Sequence, residues 1–242
     1  MAAIKKIAHR GASGEYPENT RLAFEKAIEA GVDMIELDCQ MTQDGHVVIF
    51  HDEKLLRTAR VRGTVRSKSL AELKKLDIGS WFKPTFKGQR ILTLEEALEV
   101  VAGKVGLCLE IKTFGESAPS MELKVLFALS HFDYLDQTII SSFDYRCLAR
   151  VRELAPEAVL GVIVGSESRE DAIDIARQLG ATSIHAQQEL VTYDFLRRAW
   201  DDGLDVFVWT VNDFRDLETF ASLGVQGLIS NYPKRLRKVI AR

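Results

Sequence analysis

The sequence predicts a closed α/β barrel of eight parallel strands, each followed by a helix. Three observations carry that expectation. Short apolar runs of strand length begin at Ile4, Met34, Gly106, Gln137, Val159, Thr182, Asp205 and Gln226, and an amphipathic helical stretch follows each. Eight such units in 242 residues match the count and length of a TIM barrel. The alternative, an open doubly wound sheet, calls for a Gly-rich phosphate fingerprint after its first strand, and His9-Arg10-Gly11-Ala12-Ser13-Gly14 is not that pattern. No fixed-period repeat, low-complexity stretch or linker interrupts the rhythm, so residues 1–242 are expected to form a single domain.

In chain order, the strand from Ile4 ends at His9-Arg10-Gly11. A loop with Gly14 and Pro17 leads to Asn19 and Thr20, either of which can cap a helix over Arg21–Ala30. Its apolar stripe is Leu22, Ala23, Ala27 and Ile28, and Gly31 is its stop. The second strand carries Glu36 and Asp38 inside an apolar run; two residues apart on a strand, they face the same way. Asp44-Gly45 then signals a two-residue hairpin turn with φ > 0 at both positions. That turn would pair Gln43 with His46, Thr42 with Val47 and Asp38 with His51, making an antiparallel extension after strand 2.

From about 53 to 90 the pattern loosens. Arg57, Arg60, Arg62, Arg66 and Lys68 surround Gly63, and a short helical piece covers Ser69–Lys75. The aromatic stretch Trp81-Phe82 to Phe86 is broken by Gly79, Pro84 and Gly88. This is expected to be an insertion lying over one end of the fold, with its own aromatic cluster. Regular alternation then resumes, with helices over Thr93–Val101, Ser120–Phe132, Tyr145–Leu154, Ser168–Leu179, Thr192–Asp202 and Asp213–Leu223. A last helix, opened by Pro233, runs to Arg242.

A net charge of −3 argues against a nucleic-acid protein, whose affinity would come from neutralising phosphates. Cys39, Cys108 and Cys147 are odd in number and widely spaced, which suits reduced, buried thiols rather than a disulfide frame or zinc site. The start MAAIKKIAHRG has no secretory h-region, and no apolar run approaches the ~20 residues that span a bilayer. A cytoplasmic protein without membrane insertion is expected.

In a TIM barrel the active site forms at the carboxyl ends of the strands. His9 and Arg10 lie at the end of the first, Glu36 and Asp38 at the second, Glu110 and Lys112 at the third, and His51 returns to the same rim through the hairpin. Three converging carboxylates repel one another unless a cation neutralises them, and oxygen-only ligands favour Mg²⁺ or Ca²⁺ over zinc. The competing reading is that Glu36, Asp38 and Glu110 only pair with Arg10 and Lys112. Those two cations would also make a phosphate pocket, Arg as a fork and Lys as a point charge. Two histidines at one mouth suit acid–base work in phosphoryl transfer. His46 is expected on the exposed hairpin shoulder and His131 at a helix end, while His185 ends the sixth strand and can reach the mouth.

Taken together, His9-Arg10-Gly11, Pro17-Glu18-Asn19-Thr20, Glu36-x-Asp38, His51-Asp52 and Glu110-x-Lys112 resemble the motifs of the glycerophosphodiester phosphodiesterases, whose barrel is TIM-like. Ser141-Ser142-Phe143 and Trp209-Thr210-Val211-Asn212 fit the same pattern, and the resemblance spans nearly the whole chain. The ending Ile229-Ser230-Asn231-Tyr232-Pro233 departs from the family's more usual Thr-Asp-x-Pro, which leaves the role of the last loop open and changes none of the proposed catalytic residues.

The resemblance implies Glu36, Asp38 and Glu110 as ligands of one divalent cation, His9 and His51 as the acid–base pair, Arg10 and Lys112 on the phosphate, and Trp209 lining the glycerol or leaving-group side. It implies hydrolysis of small-molecule glycerophosphodiesters to sn-glycerol 3-phosphate and an alcohol through a cyclic phosphate, a reaction of lipid and glycerol metabolism. A phospholipase-D-like or lysophospholipid-cleaving enzyme on the same site, and a non-catalytic phosphate-binding barrel, are the alternatives.

Overall fold

Eight parallel strands close on themselves in the computed structural model, which describes residues 3–115, 120–167 and 171–240. In chain order the elements are β1 (Lys5–His9), α1 (Arg21–Glu29), β2 (Met34–Met41), β3 (Val47–Ile49), α2 (Leu56–Ala59), α3 (Leu70–Leu73) and α4 (Leu94–Val101). They continue with β4 (Gly106–Ile111), α5 (Met121–His131), β5 (Thr138–Ser142), α6 (Tyr145–Leu154), β6 (Val159–Val164), α7 (Ala172–Leu179) and β7 (Ser183–Gln187). The chain ends with α8 (Tyr193–Asp201), β8 (Asp205–Trp209), α9 (Phe214–Leu223), β9 (Gly227–Ser230) and α10 (Pro233–Ile240). The sheet order is β1-β9-β8-β7-β6-β5-β4-β2, with β2 pairing back to β1, so no strand edge of the barrel is left open. The expected helix start at Ser168 and the end at Arg242 lie outside the described residues.

Side-chain polarity fixes each element locally. Thr20 caps α1 by accepting from Ala23 N, and Thr93 with Glu96 makes a capping box on α4. Asp144, Asp171, Thr192 and Asp213 cap α6, α7, α8 and α9 in the same way. Inside the barrel, Ile7, Met34, Cys108, Phe207 and Ile229 form one apolar layer. Two residues further along their strands, and therefore on the same inner face, come His9, Glu36, Glu110 and Trp209. The interior passes from an apolar plug to a polar mouth in one step of the pleat.

The hairpin differs from its expected register. Observed partners are Cys39 with Ile49, Gln40 with Val48 and Met41 with Val47, and Thr42 N donates to His46 O. The loop is three residues, Gln43-Asp44-Gly45, with a positive φ of 81° at Gly45 and not at Asp44. An Asp-Gly pair serves equally in a three-residue loop closed by a left-handed glycine, and this is the form adopted here. Asp38 consequently faces Phe50, whose N–H donates to Asp38 O, and not His51. His51 reaches the mouth on the loop beyond β3, held where Gln40 Nε2 donates to both Phe50 O and Asp52 O at 2.8 Å.

The insertion after β3 has a core of its own: Val48, Phe50, Leu55, Ala59, Val65, Leu73, Ile78 and Ile91 are buried together. Its aromatic rings run in a chain from Trp81 through Phe82 and Phe86 to Tyr16 in the β1–α1 loop. Arg57 on α2 also reaches the β1–α1 loop, donating to Glu18. Among the described residues, no helix is long and apolar enough to cross a membrane. Cys39, Cys108 and Cys147 are all buried free thiols.

Candidate active site

Register assembles the acids. His9 pairs with Glu36 across β1 and β2, and Asp38 pairs with Glu110 across β2 and β4. All three carboxylates are buried, and each offers an oxygen within 4.8 Å of the others. Glu36 and Asp38 lie inside β2, not at its end, because pairing with β3 prolongs the strand to Met41.

The two cations are threaded between the acids. Lys112 Nζ is 2.6 Å from Glu110 Oε1 and 3.2 Å from Asp38 Oδ1. Arg10 Nε is 3.4 Å from Asp38 Oδ2, its Nη1 donates to Glu18 Oε1 at 2.9 Å, and its backbone N–H donates to Glu36 Oε2 at 2.9 Å. Burial works to raise the Asp38 carboxyl, but Lys112, Arg10 and His51 together hold it well below the usual carboxylate range. Glu36 moves the other way, pushed well above that range by burial and then by the neighbouring charge of Asp38. Burial pushes Glu110 up to about 7, with Lys112 pulling back and Asp38 pushing further.

The ion-pair network expected as the competing reading therefore exists, but it is incomplete. Two cations face three acids, Glu36 and Glu110 retain protons readily, and the buried Asp38 Oδ1 makes no hydrogen bond. Three buried carboxyls, two of them kept from ionising freely by burial and by the charge of Asp38, fit a hard divalent cation, which would let all three ionise where the two side-chain cations do not. Glu36, Asp38 and Glu110 can hold such an ion.

Both histidines face this cluster. His9 Nδ1 is 2.7 Å from Asn231 Oδ1, which orients the ring with Nε2 3.9 Å from Glu36 Oε2. Burial, followed by the charge of Arg10, lowers His9 to about 4, so its ring is neutral near pH 7. His51 Nδ1 is 2.7 Å from Asp52 Oδ1. His9, Arg10, Glu36, His51, Glu110, Lys112 and Trp209 all line one cavity of about 140 Å³ at the barrel mouth, and Asp38 joins the cluster through Lys112 and Arg10 without lining that cavity. Trp209 forms part of its wall, with Nε1–H donating to His185 O at 2.8 Å and its ring edge-to-face on Phe143.

His185 reaches the cavity too, stacked on Phe207 and lowered to about 4 by burial. Gly161 makes that possible, since a Cβ there would lie 2.6 Å from His185 Nε2. His46 and His131 are exposed, at the hairpin shoulder and the end of α5.

Some contributors were not foreseen. Asn231, in the last loop whose role the sequence leaves open, holds His9. Asn19, weighed only as a helix cap, instead takes φ 56° and donates from Nδ2 to Asp38 Oδ2 at 2.9 Å, while Thr20 does the capping. The Pro17-Glu18-Asn19-Thr20 motif was the available signal for Asn19. Nothing in the sequence near Asn231 pointed to His9, 222 positions away.

The chain matches the glycerophosphoryl diester phosphodiesterase family over residues 9–235. It is 36% identical over 237 residues to the glycerophosphodiester phosphodiesterase of Caldanaerobacter subterraneus subsp. tengcongensis, covering 98% of this chain and 97% of that one. The glycerophosphodiester phosphodiesterase of Bacillus subtilis is 34% identical over 253 residues, covering 98% of this chain and 86% of that one. Among solved structures, a phosphodiesterase of Oleispira antarctica in complex with the product sn-glycerol-3-phosphate superposes with a TM-score of 0.91 at 30% identity, over 99% of this chain and 98% of that one. The closed barrel, the polar mouth and these likenesses converge: the chain belongs to the glycerophosphoryl diester phosphodiesterase family and is a phosphodiester hydrolase.

Proposed function

We propose that this enzyme hydrolyses glycerophosphodiesters to sn-glycerol 3-phosphate and a free alcohol, using His9 and His51 as the acid–base pair. The observation that carries this reading is the meeting of both histidines with Glu36, Glu110, Arg10 and Lys112 around one 140 Å³ cavity. Glu36, Asp38 and Glu110 would hold Mg²⁺ or Ca²⁺, which supplies Lewis acidity toward the phosphoryl oxygens and the glycerol 2-hydroxyl when bound.

Arg10 and Lys112 offset the charge that gathers on the non-bridging phosphoryl oxygens. Neutral His9 accepts the proton of the 2-hydroxyl at Nε2. The hydroxyl oxygen attacks phosphorus, the bond to the alcohol oxygen breaks, and His51 protonates the leaving alcohol. In the second half the roles exchange: His51 takes a proton from water, the water oxygen opens the five-membered cyclic phosphate, and His9 returns its proton to the 2-oxygen. Trp209 forms the apolar wall on the glycerol or leaving-group side. The product joins lipid head-group turnover to glycerol metabolism, and three buried free thiols fit a reducing, cytoplasmic setting.

The test uses protein stripped with EDTA and resupplied with Mg²⁺ or Ca²⁺. It should release glycerol 3-phosphate from glycerophosphocholine only after resupply. Equal rates with and without metal would remove the cation, and no release from any short glycerophosphodiester would remove the substrate class. Exposed Phe114 and Phe143 line a groove running on from Lys112, which keeps lysophospholipids as the second substrate to compare. Faster cleavage of lysophosphatidylcholine than of glycerophosphocholine would favour that reading.

A further inference from the structure

Arg57 sits on α2, the first helix of the insertion, and turns its guanidinium back toward the barrel. Its Nε and Nη2 donate to Asp52 Oδ2 and Oδ1 at 2.6 and 2.9 Å. Its Nη1 and Nη2 donate to Glu18 Oε2 and Oε1, both at 2.7 Å. All three nitrogens are engaged in two forks on two carboxylates. Each carboxylate has a second partner inside the mouth: Asp52 Oδ1 is 2.7 Å from His51 Nδ1, and Glu18 Oε1 accepts from Arg10 Nη1 at 2.9 Å. The indole of Trp81, also in the insertion, lies 5.3 Å from the guanidinium carbon. Leu55 and Ala59, on either side of Arg57, anchor α2 in the insertion's own core.

We propose that Arg57 is a positioning residue for the phosphodiester reaction, fixing His51 through Asp52 and Arg10 through Glu18, so that the insertion sets the geometry of the mouth. This rests on the reading of His51 as a proton-transfer residue and Arg10 as a phosphate ligand. Without the guanidinium, Asp52 and Glu18 lose the cation between them and repel, and each loses the two bonds that fix its rotamer. His51 is then free to turn with the carboxylate that holds it, and Arg10 loses the support of Glu18. Lysine cannot substitute, because a single ammonium makes neither fork. The Arg57 side chain is 41% exposed, so its ion pairs add little to global stability, and its loss is read in catalysis rather than in folding.

The experiment is a set of steady-state measurements on glycerophosphocholine with metal present. Asp52→Asn should lower kcat with KM little changed, and Glu18→Gln should mainly raise KM. Arg57→Met should do both, with kcat down roughly 10- to 100-fold, the range expected when a catalytic group is misplaced by about 1 Å. Arg57→Lys should recover less than a tenth of the wild-type rate, and millimolar guanidinium should partly restore Arg57→Ala. Arg62→Ala, an exposed change on the same insertion, should behave as wild type. In a His51→Ala background the kcat effect of Arg57→Met should vanish, because the two act as one unit. Wild-type kcat and KM in Arg57→Met beside an inactive His51→Ala overturns the positioning role alone. So does an undiminished effect of Arg57→Met in the His51→Ala background. Wild-type turnover in His51→Ala overturns the catalytic reading itself, and with it the His51 half of this proposal. Should Arg57→Met fail to fold, guanidinium rescue of Arg57→Ala decides instead, and no rescue of a folded Arg57→Ala counts against the role.

Discussion

Two histidines flank the mouth, and each presents Nδ1 to a side-chain oxygen at 2.7 Å. On His9 that oxygen belongs to the amide of Asn231, and on His51 to the carboxylate of Asp52. The amide is a dipole, so it orients the ring without offsetting a charge on it. With burial and Arg10 bearing on it as well, His9 is suited to begin the reaction neutral. Asp52 is a fixed anion: burial works against it, but the bonds from His51 and Arg57 hold it well below the usual carboxylate range. A protonated His51 therefore has its counter-charge already in place. The same ring nitrogen meets an amide in one case and a carboxylate in the other, which suits the two rings to the different roles proposed for them.

The most direct way to break this comparison is to remove each ring. His9→Ala and His51→Ala should each lower kcat by roughly 10²- to 10⁴-fold while divalent-cation binding, measured by calorimetry, is retained. Equal retention of turnover in either would end that residue's role. The next effect is on the cation site: because Glu36 and Glu110 hold protons readily, binding a cation must expel them. Affinity for Mg²⁺ or Ca²⁺ should fall as pH drops below about 7, and calorimetry in buffers of different ionisation enthalpy should record proton release. Binding that is independent of both pH and buffer would contradict the raised carboxyls.

Exchanging the partners sharpens the comparison further. Asn231→Asp places an anion on His9, favours its protonated form and should move the acid limb of the kcat/KM profile to higher pH. An unmoved limb would show that Asn231 does not govern the ring.

The smallest effect is on stability. His185 is held down to about 4 by burial, below the value of about 6.5 in the unfolded chain. As pH falls, the unfolded chain therefore takes up the proton first. This contribution to stability is full above about pH 6.5 and is lost toward pH 4, on the order of 3 kcal/mol at most. His185→Phe should flatten the decline of Tm across that window relative to wild type, and an identical slope would refute the neutral, buried state.

Much of this molecule was legible in its sequence, and the limits have physical causes. Strand starts came out within a residue, Ile4 for Lys5 and Gln137 for Thr138, because apolar strands of a parallel barrel are continuous hydrophobic runs. Glu36 and Asp38 were visible because acids inside such a run demand a reason. The hairpin register was not, since Asp-Gly fits both a two-residue and a three-residue loop and a single residue decides the pairing. His51 nonetheless reaches the mouth, carried there by the loop that Gln40 braces and not by the ladder. Asn231 and the Glu18–Arg57 pair were invisible for another reason: their partners lie 222 and 39 positions away, and local pattern carries no information on such pairing.

The strand β3 has two allegiances. Val47 and Ile49 belong to the main core, while Val48, between them, and Phe50, just beyond, belong to the core of the insertion. The natural seam between barrel and insertion therefore runs lengthwise along a strand rather than across a loop. Anyone transplanting this cover onto another barrel would have to carry Val48 and Phe50 with it and keep Val47 and Ile49 for the host. Trimming the insertion at residue 53 would leave two large apolar side chains facing water. A spliced chimera respecting that lengthwise seam is the one with a prospect of folding.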